Sequence, residues 1–219
     1  MGRRALRKLD PQLDLSRHLK SWDELPRPWD SVALFGRAAP LEIEIGSGKG
    51  LFLCAAAATQ PDRDFLGVEI AAKYARYAAA RLAKRELANA ILVNADAQRL
   101  FRELLPADCL AAVHVYFPDP WWKARHKKRR VMNESFVRDV EPTLVLGGTL
   151  HFWTDVEEYF TTTLELLAAT THLVGPLPVV EQPAQHDLDY RTHFERRMRL
   201  HGEAVYRAEF KKQATGNRS

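Results

Sequence analysis

From Leu41 onward, short apolar runs alternate with stretches of helical period. Leu41 to Ile45 sets Ile43 and Ile45 among acids, enters the turn Gly46-Ser47-Gly48-Lys49-Gly50, and leads into an apolar stretch from Leu51 to Thr59. That reads as strand, glycine turn, helix. Phe65 to Ile70 predicts a second strand. Ala71 to Leu87 predicts a long helix with Tyr74, Tyr77, Ala78 and Leu82 on one face and Lys73, Arg76, Arg81, Lys84 and Arg85 largely elsewhere. Ala90 to Asn94 and Ala111 to Phe117 predict the third and fourth strands. Asn133 caps a helix running to about Val145, and Gly147-Gly148 turns the chain into a fifth strand, Thr149 to Thr154. A helix follows from about Val156 to Ala169. Pro176, Pro178 and Pro183 then mark a looser connection, Tyr190 to His201 reads as helical, and Ala204 to Lys211 as a last strand, antiparallel at or near an edge.

Strands alternating with helices at this spacing predict a doubly wound α/β fold with a mostly parallel sheet covered on both faces. Residues 1–40, with scattered Pro11, Pro26 and Pro28, read as an irregular lead-in with a short helix. Residues 41–219 read as a single domain, since 219 residues are too few for two ordinary ones.

Composition narrows the class. With 46% hydrophobic and 27% charged residues the chain is neither fibrous nor disordered. Met1 to Arg4 opens with charge rather than a signal-peptide core, and Leu51 to Ala58 is too short to cross a bilayer, so a cytoplasmic protein without membrane association is expected. Cys54 and Cys109 lie in apolar segments and read as reduced core residues rather than a disulfide or metal site; no metal is expected. The formal charge of +4 is local in origin. Six Lys/Arg fall between Lys123 and Arg130, and without them 26 basic residues stand against 28 acidic ones, a net of −2. Smaller basic clusters sit at Arg3, Arg4, Arg7 and Lys8 and at Arg191, Arg196, Arg197 and Arg199. Such a patch fits a polyanionic partner, although a solvated face is the commoner reason for a charge run.

The glycine turn points to a nucleotide. In open α/β sheets ligands bind beyond the carboxyl ends of the strands, and alternate glycines let backbone approach them without a Cβ in the way. Glu69 ends the second strand 23 residues after Gly46, where a carboxylate can accept both ribose hydroxyls, and Asp96 follows the third strand, within reach of an adenine amino group. A dinucleotide fingerprint requires G-x-G-x-x-G and a P-loop requires Ser or Thr after Gly-Lys, whereas Lys49 is followed by Gly50. The pattern Glu44-x-Gly46-x-Gly48-x-Gly50 with downstream acids instead resembles methyltransferases that use S-adenosylmethionine, a cationic ligand that acids suit.

The segment Tyr116-Phe117-Pro118-Asp119-Pro120-Trp121-Trp122-Lys123-Ala124-Arg125-His126-Lys127-Lys128-Arg129-Arg130 puts a carboxylate between two prolines at a strand tip, beside two aromatics and a basic run. Taken singly, these are a rigid turn, a packing plug and a solvated face. Together they suit presentation of a splayed-out base to a methyl donor. With Glu44-Ile45-Gly46, Gly67-Val68-Glu69, Asn94-Ala95-Asp96-Ala97, Thr154-Asp155 and Thr192-His193-Phe194-Glu195, the chain resembles the bacterial tRNA (guanine-N7-)-methyltransferases from about Leu41 to the last strand. The resemblance implies the seven-stranded Rossmann-like sheet of the class I S-adenosylmethionine-dependent enzymes and a guanine of the tRNA variable loop as target. It implies Glu44, Gly46, Gly48, Gly50, Glu69, Asp96 and Asp119 at the cofactor, with Asp119 the catalytic acid. Lys123, Asp155 and Thr192, His193, Phe194 and Glu195 become substrate-binding positions, and Arg125, Lys127, Lys128, Arg129 and Arg130 contact RNA. Trp122, where a more polar residue is usual, and His193, where Lys or Asn is, depart from the pattern.

An enzyme methylating an exocyclic amine of RNA or DNA is the alternative, with Pro-Asp-Pro-Trp as the amine-gripping loop. A non-catalytic RNA-binding partner is disfavoured by the intact glycine turn, and a nicotinamide oxidoreductase by the glycine spacing. Monomer and homodimer are both compatible with the sequence.

Overall fold

A computed structural model describes residues 6, 8–122, 124–179, 195, 198 and 201–214. Eight strands form one sheet: β1 (Leu19–Ser21), β2 (Leu41–Ile45), β3 (Asp64–Val68), β4 (Ala90–Asn94), β5 (Leu110–Tyr116), β6 (Leu144–Thr154), β7 (Val174–Leu177) and β8 (Tyr206–Lys211). Their order is β1-β4-β3-β2-β5-β6-β8-β7. From β1 to β6 all neighbours pair in parallel; β8 runs antiparallel to β6 and β7. The chain builds outward from β2 through β3 to β4, then crosses back to add β5 on the other side of β2, so the crevice between β2 and β5 is the point where strand order reverses.

The doubly wound, mostly parallel sheet is as expected, and the strand count is corrected from seven to eight. The added strand comes from the segment read as irregular: Leu19 to Ser21 extends the edge of β4, and His18 fastens it by accepting from Leu92 N (2.8 Å) through its carbonyl while its ring Nδ1 meets Ala90 O at 3.1 Å. A three-residue strand shows no period of its own, so only its neighbour reveals it. The short helix expected in the lead-in is α1 (Ser31–Phe35), capped by Asp30. β7 sits in the proline-marked connection, where an edge strand tolerates Pro176. Gly175 is required there, because a Cβ would meet the Phe210 ring at 2.5 Å. The helices α2 (Leu51–Thr59), α3 (Ala72–Ala83), α5 (Glu134–Thr143) and α6 (Glu157–Thr170) follow the sequence pattern. The seven-residue α4 (Ala97–Glu103) has no counterpart in that reading. Gly147 and Gly148, read as a turn, lie inside the long β6 at a register irregularity against β5. The helix expected from Tyr190 to His201 lies mostly outside the described residues.

Strand alternation divides the core between two faces. One carries Ile43, Ile45, Leu66, Val68, Ile91, Val93, Val113, Val115, Leu150, Phe152, Ala208 and Phe210 against α4, α5 and α6. The other packs Phe65, Ala90 and Leu92 under Phe52, Leu53, Ala78, Ala79 and Leu82 of α2 and α3. On β2, β5, β6 and β8 that second face turns polar, with Glu42, Glu44, His114, His151, Arg207 and Glu209.

Candidate active site

Because the strands are parallel, the residues that leave β2, β3, β4, β5 and β6 gather along one edge of the sheet. The glycine turn lies first. Gly46, Gly48 and Gly50 have φ of +72°, +53° and +68°, a backbone region open to glycine, and a Cβ on Gly46 would meet nothing within 4 Å, so the turn presents bare backbone to a ligand. Gly50 serves packing instead: a Cβ there would strike Ala78 of α3 at 2.7 Å. Gly46 N and Ser47 N donate to Val68 O at 2.8 and 3.2 Å, and Arg81 Nη1 donates to Lys49 O at 2.8 Å.

Three acids lie along this edge in different settings. Glu44 is 3% exposed, and its Oε2 has no hydrogen-bond partner among the described residues. Burial pushes its carboxyl up to about 8; the Ser47 hydroxyl opposes that and nearby Glu69 reinforces it. A buried acid short of a partner at a glycine turn fits a cation-bearing ligand. Glu69 braces the turn: Oε2 accepts from Gly48 N (2.9 Å) and Oε1 from Ala71 N (2.8 Å), leaving each oxygen a second lone pair for ribose hydroxyls. Asp96 lies exposed at the N-terminus of α4, which it caps through Gln98 N (2.9 Å).

Asp119 is exposed on the loop leaving β5, next across the strand-order reversal from the glycine turn. Phe117 and Trp121 bracket Pro118-Asp119-Pro120 with φ of +49° and +46°, a region such side chains rarely adopt, and the loop is fastened on both sides. Phe117 N donates to Trp153 O (2.8 Å), and Arg130 Nε donates to Pro120 O (2.7 Å). The backbone that carries Asp119 is thus held from both sides. Thr154 is fully buried, its Oγ accepting from Val156 N at 3.2 Å, and sets half-buried Asp155 at the end of β6.

The basic run divides. Arg125 and Arg129 are exposed on a 3-10 turn, Ala124–Arg129, and the Arg129 guanidinium lies 5.0 Å from the Trp121 ring centroid. Arg130 corrects the expectation of an RNA-facing residue. It is 7% exposed, donates to Glu158 at 2.8 and 3.4 Å and to the Pro120 carbonyl, and lies 4.4 Å from the Tyr159 ring centroid. The cation is turned inward, where it ties the Asp119 loop to α6. The side chains of Lys127 and Lys128, and Lys123, Thr192, His193 and Phe194 entirely, lie outside the described residues. Glu195 is 2% exposed and meets Arg207 at 3.4 Å; that guanidinium lies 5.0 Å from the Trp153 ring centroid, so Glu195 is held beside the end of β6 rather than out in solvent.

Sequence reasoning missed the supports: Glu158 for Arg130, Arg207 for Glu195, and Asn94, whose Nδ2 donates to the carbonyls of Glu69 (2.8 Å) and Ile70 (3.1 Å). Glu158 and Arg207 belong to no motif; Asn94 stands in the Asn94-Ala95-Asp96-Ala97 motif, which carried no sign of this bracing role. A polar cleft of about 310 Å³ toward the opposite ends of the strands has another character. There the Glu42 carboxylate binds Arg63 and His114, both at 2.7 Å, and His114 stacks on His151 at 4.7 Å. Burial alone would raise the Glu42 carboxyl, but His114 and Arg63 outweigh it and hold it below the usual range. Both cysteines are free. Among the described residues no helix is long and apolar enough to cross a membrane.

Comparison with known proteins agrees with this arrangement. A family model described as "Putative methyltransferase" matches residues 38–208. Among solved structures, a 30S ribosomal A1408 methyltransferase from an uncultured bacterium superposes with a TM-score of 0.54 at 16% identity, covering 84% of this chain and 92% of that one. An aminoglycoside resistance methyltransferase gives 0.52 at 20% identity, covering 86% and 94%. At those identities the likeness is one of fold. Sequence relatives go further: the tRNA (guanine-N(7)-)-methyltransferase of Rhodopirellula baltica is 49% identical over 98% of this chain and 81% of its own length. That of Methylococcus capsulatus is 39% identical over 81% and 77%. A glycine turn ringed by acids and a clamped Asp119 loop thus stand on a chain that belongs to the tRNA (guanine-N(7)-)-methyltransferase family.

Proposed function

We infer that this chain performs its family's reaction, methyl transfer from S-adenosylmethionine to N7 of a guanine in tRNA, at the crevice between β2 and β5. The observation that carries this reading is the clamped loop: Asp119 is fixed from both sides next to a glycine turn holding a buried carboxylate short of a partner. When bound, S-adenosylmethionine supplies an electrophilic methyl group on a cationic sulfur. Glu44 would meet its positive charge, Glu69 would accept from its ribose hydroxyls, and Asp96 would receive the adenine amine; Gly46 and Gly48 let the backbone close in.

N7 of guanine carries an in-plane lone pair and no proton, so no base is needed to create the nucleophile and alignment dominates the rate. Transfer of that methyl group to N7, with the neutral thioether as leaving group, would place positive charge on the purine. Asp119 holds the guanine edge and stabilises that charge as a preorganised electrostatic group. Asp155 and Glu195 accept from N1–H and the exocyclic amine, Lys123 donates to O6 or a phosphate, Thr192, His193 and Phe194 complete the substrate side, and Arg125, Lys127, Lys128 and Arg129 contact phosphates. Residues 41–219 act as one methyltransferase domain, in the cytoplasm where tRNA and reduced cysteines belong together, on a guanine of the variable loop. The test is to incubate unmodified tRNA with the protein and labelled cofactor, digest with nuclease, and locate the label by mass spectrometry. 7-Methylguanosine in the variable loop is expected; methyl on an exocyclic amine, or no transfer, overturns the reading.

A further inference from the structure

The adjacent indoles Trp121 and Trp122 have opposite surroundings. Trp121 is half-buried, with the Arg129 guanidinium 5.0 Å from its ring centroid and His126 edge-on at 5.8 Å, so it is packed within the loop. Trp122 is 69% exposed, the one aromatic among the large exposed hydrophobic residues of the described chain. A lone exposed apolar side chain on a mobile surface would mean little. This one is three residues beyond Asp119 on a backbone clamped through the Pro120 carbonyl, and is followed by exposed Arg125 and Arg129. Three residues of chain span at most about 10 Å, which keeps the indole close to whatever Asp119 faces.

Resting on the tRNA-methylating reading above, we propose that Trp122 is a stacking platform for an unpaired base next to the target guanine, holding the single-stranded stretch open while Asp119 engages the target. The chemistry favours a base over a protein partner: a flat indole flanked by cations matches the alternation of base and phosphate along a single strand.

The test uses the full-length protein with Trp122→Ala, Trp122→Phe and Trp122→Leu, measuring equilibrium tRNA affinity across a salt series, tRNA KM, cofactor affinity by calorimetry and thermal midpoint. Stacking on one base is worth roughly tenfold in affinity, within a wide range. Trp122→Ala should therefore weaken tRNA binding and raise KM by about that factor, with salt slope, cofactor affinity and midpoint unchanged, because no phosphate contact or core packing is lost. Trp122→Phe should restore most of the loss, whereas Trp122→Leu, apolar but without a π-face, should stay near Ala. Wild-type tRNA affinity in the Ala variant, equal rescue by Leu and Phe, or a flattened salt slope each overturns the proposal. A wild-type protein that leaves tRNA unmethylated overturns the function reading instead, and the binding series still reports on the stacking.

Discussion

The two faces of the central sheet are built from the same strands and behave as different materials. Along β2, β5, β6 and β8, one face presents Ile43, Ile45, Val113, Val115, Leu150, Phe152, Ala208 and Phe210 to an apolar layer of helices. The opposite face of those strands presents Glu42, Glu44, His114, His151, Arg207 and Glu209. A period of two residues separates them, so one face supplies burial while the other, beside buried Tyr116 and Trp153, carries charges whose desolvation is a cost. The polar side offsets that cost by pairing, as in Glu42 with Arg63 and His114. Glu44, with an oxygen lacking a partner among the described residues, departs from that pattern beside the glycine turn.

The largest effect should come from the apolar face. Phe152 is fully buried and packs on Tyr159 and Phe160 at centroid distances of 5.6 and 6.2 Å. Phe152→Ala should cost about 3–5 kcal/mol of stability, measured by denaturant unfolding, while the protein that remains folded keeps its turnover. If turnover per folded molecule fell steeply as well, the separation of the faces would not hold.

Next is the loop at the rim of the polar face. Asp119→Asn keeps shape but loses the charge opposing the cation on the purine, so turnover at saturating tRNA and cofactor should drop by about 10² to 10³ with cofactor affinity intact. Raising the pH should give no rescue, since N7 has no proton to remove. Near wild-type turnover would mean that the clamp around Asp119 serves only the fold.

Glu44 sharpens the comparison through pH. Burial lifts its carboxyl from the ordinary 4.5 to about 8, so in the free protein it is mostly protonated at neutral pH. Between those values the unfolded chain gives up this proton and the folded chain keeps it. The contribution to stability is therefore full below about 4.5 and lost as pH rises toward 8. A bound cation reverses the preference, so S-adenosylmethionine affinity should rise over the same interval, approaching about tenfold per pH unit, with a proton released on binding. Calorimetry in buffers of different ionisation enthalpy reads that proton directly. Glu44→Gln should abolish the release, and a wild-type protein releasing none would place the cation elsewhere.

The smallest effect belongs to the exposed cations. Neutralising Arg125 and Arg129 together should flatten the slope of log affinity for tRNA against log salt by about 1.5. Arg130→Ala should leave the slope alone and lower the unfolding midpoint, because that guanidinium is held by Glu158 and the Pro120 carbonyl. A slope that responds to Arg130 rather than to the other two would reverse the division drawn here.

Much of the glycine-turn edge of the sheet was legible in the chain because its signals are local. A glycine at positive φ, an acid at a strand end and an aspartate between prolines each act within a few residues of their own position, so Gly46, Glu69 and Asp119 show themselves by spacing. Strand alternation is equally local, and it determined the doubly wound α/β class. What tertiary structure alone decided depends on partners distant in sequence. Leu19 to Ser21 became a strand because β4 offered an open edge, and Gly147 and Gly148 became part of β6 because β5 and Lys212 pair around them. Of the basic run, sequence determined the charge and the fold decided its use, since whether an arginine meets solvent or an acid depends on what stands opposite. Glu158, 28 residues away, drew Arg130 inward, while Trp121 was packed and its neighbour Trp122 left in water.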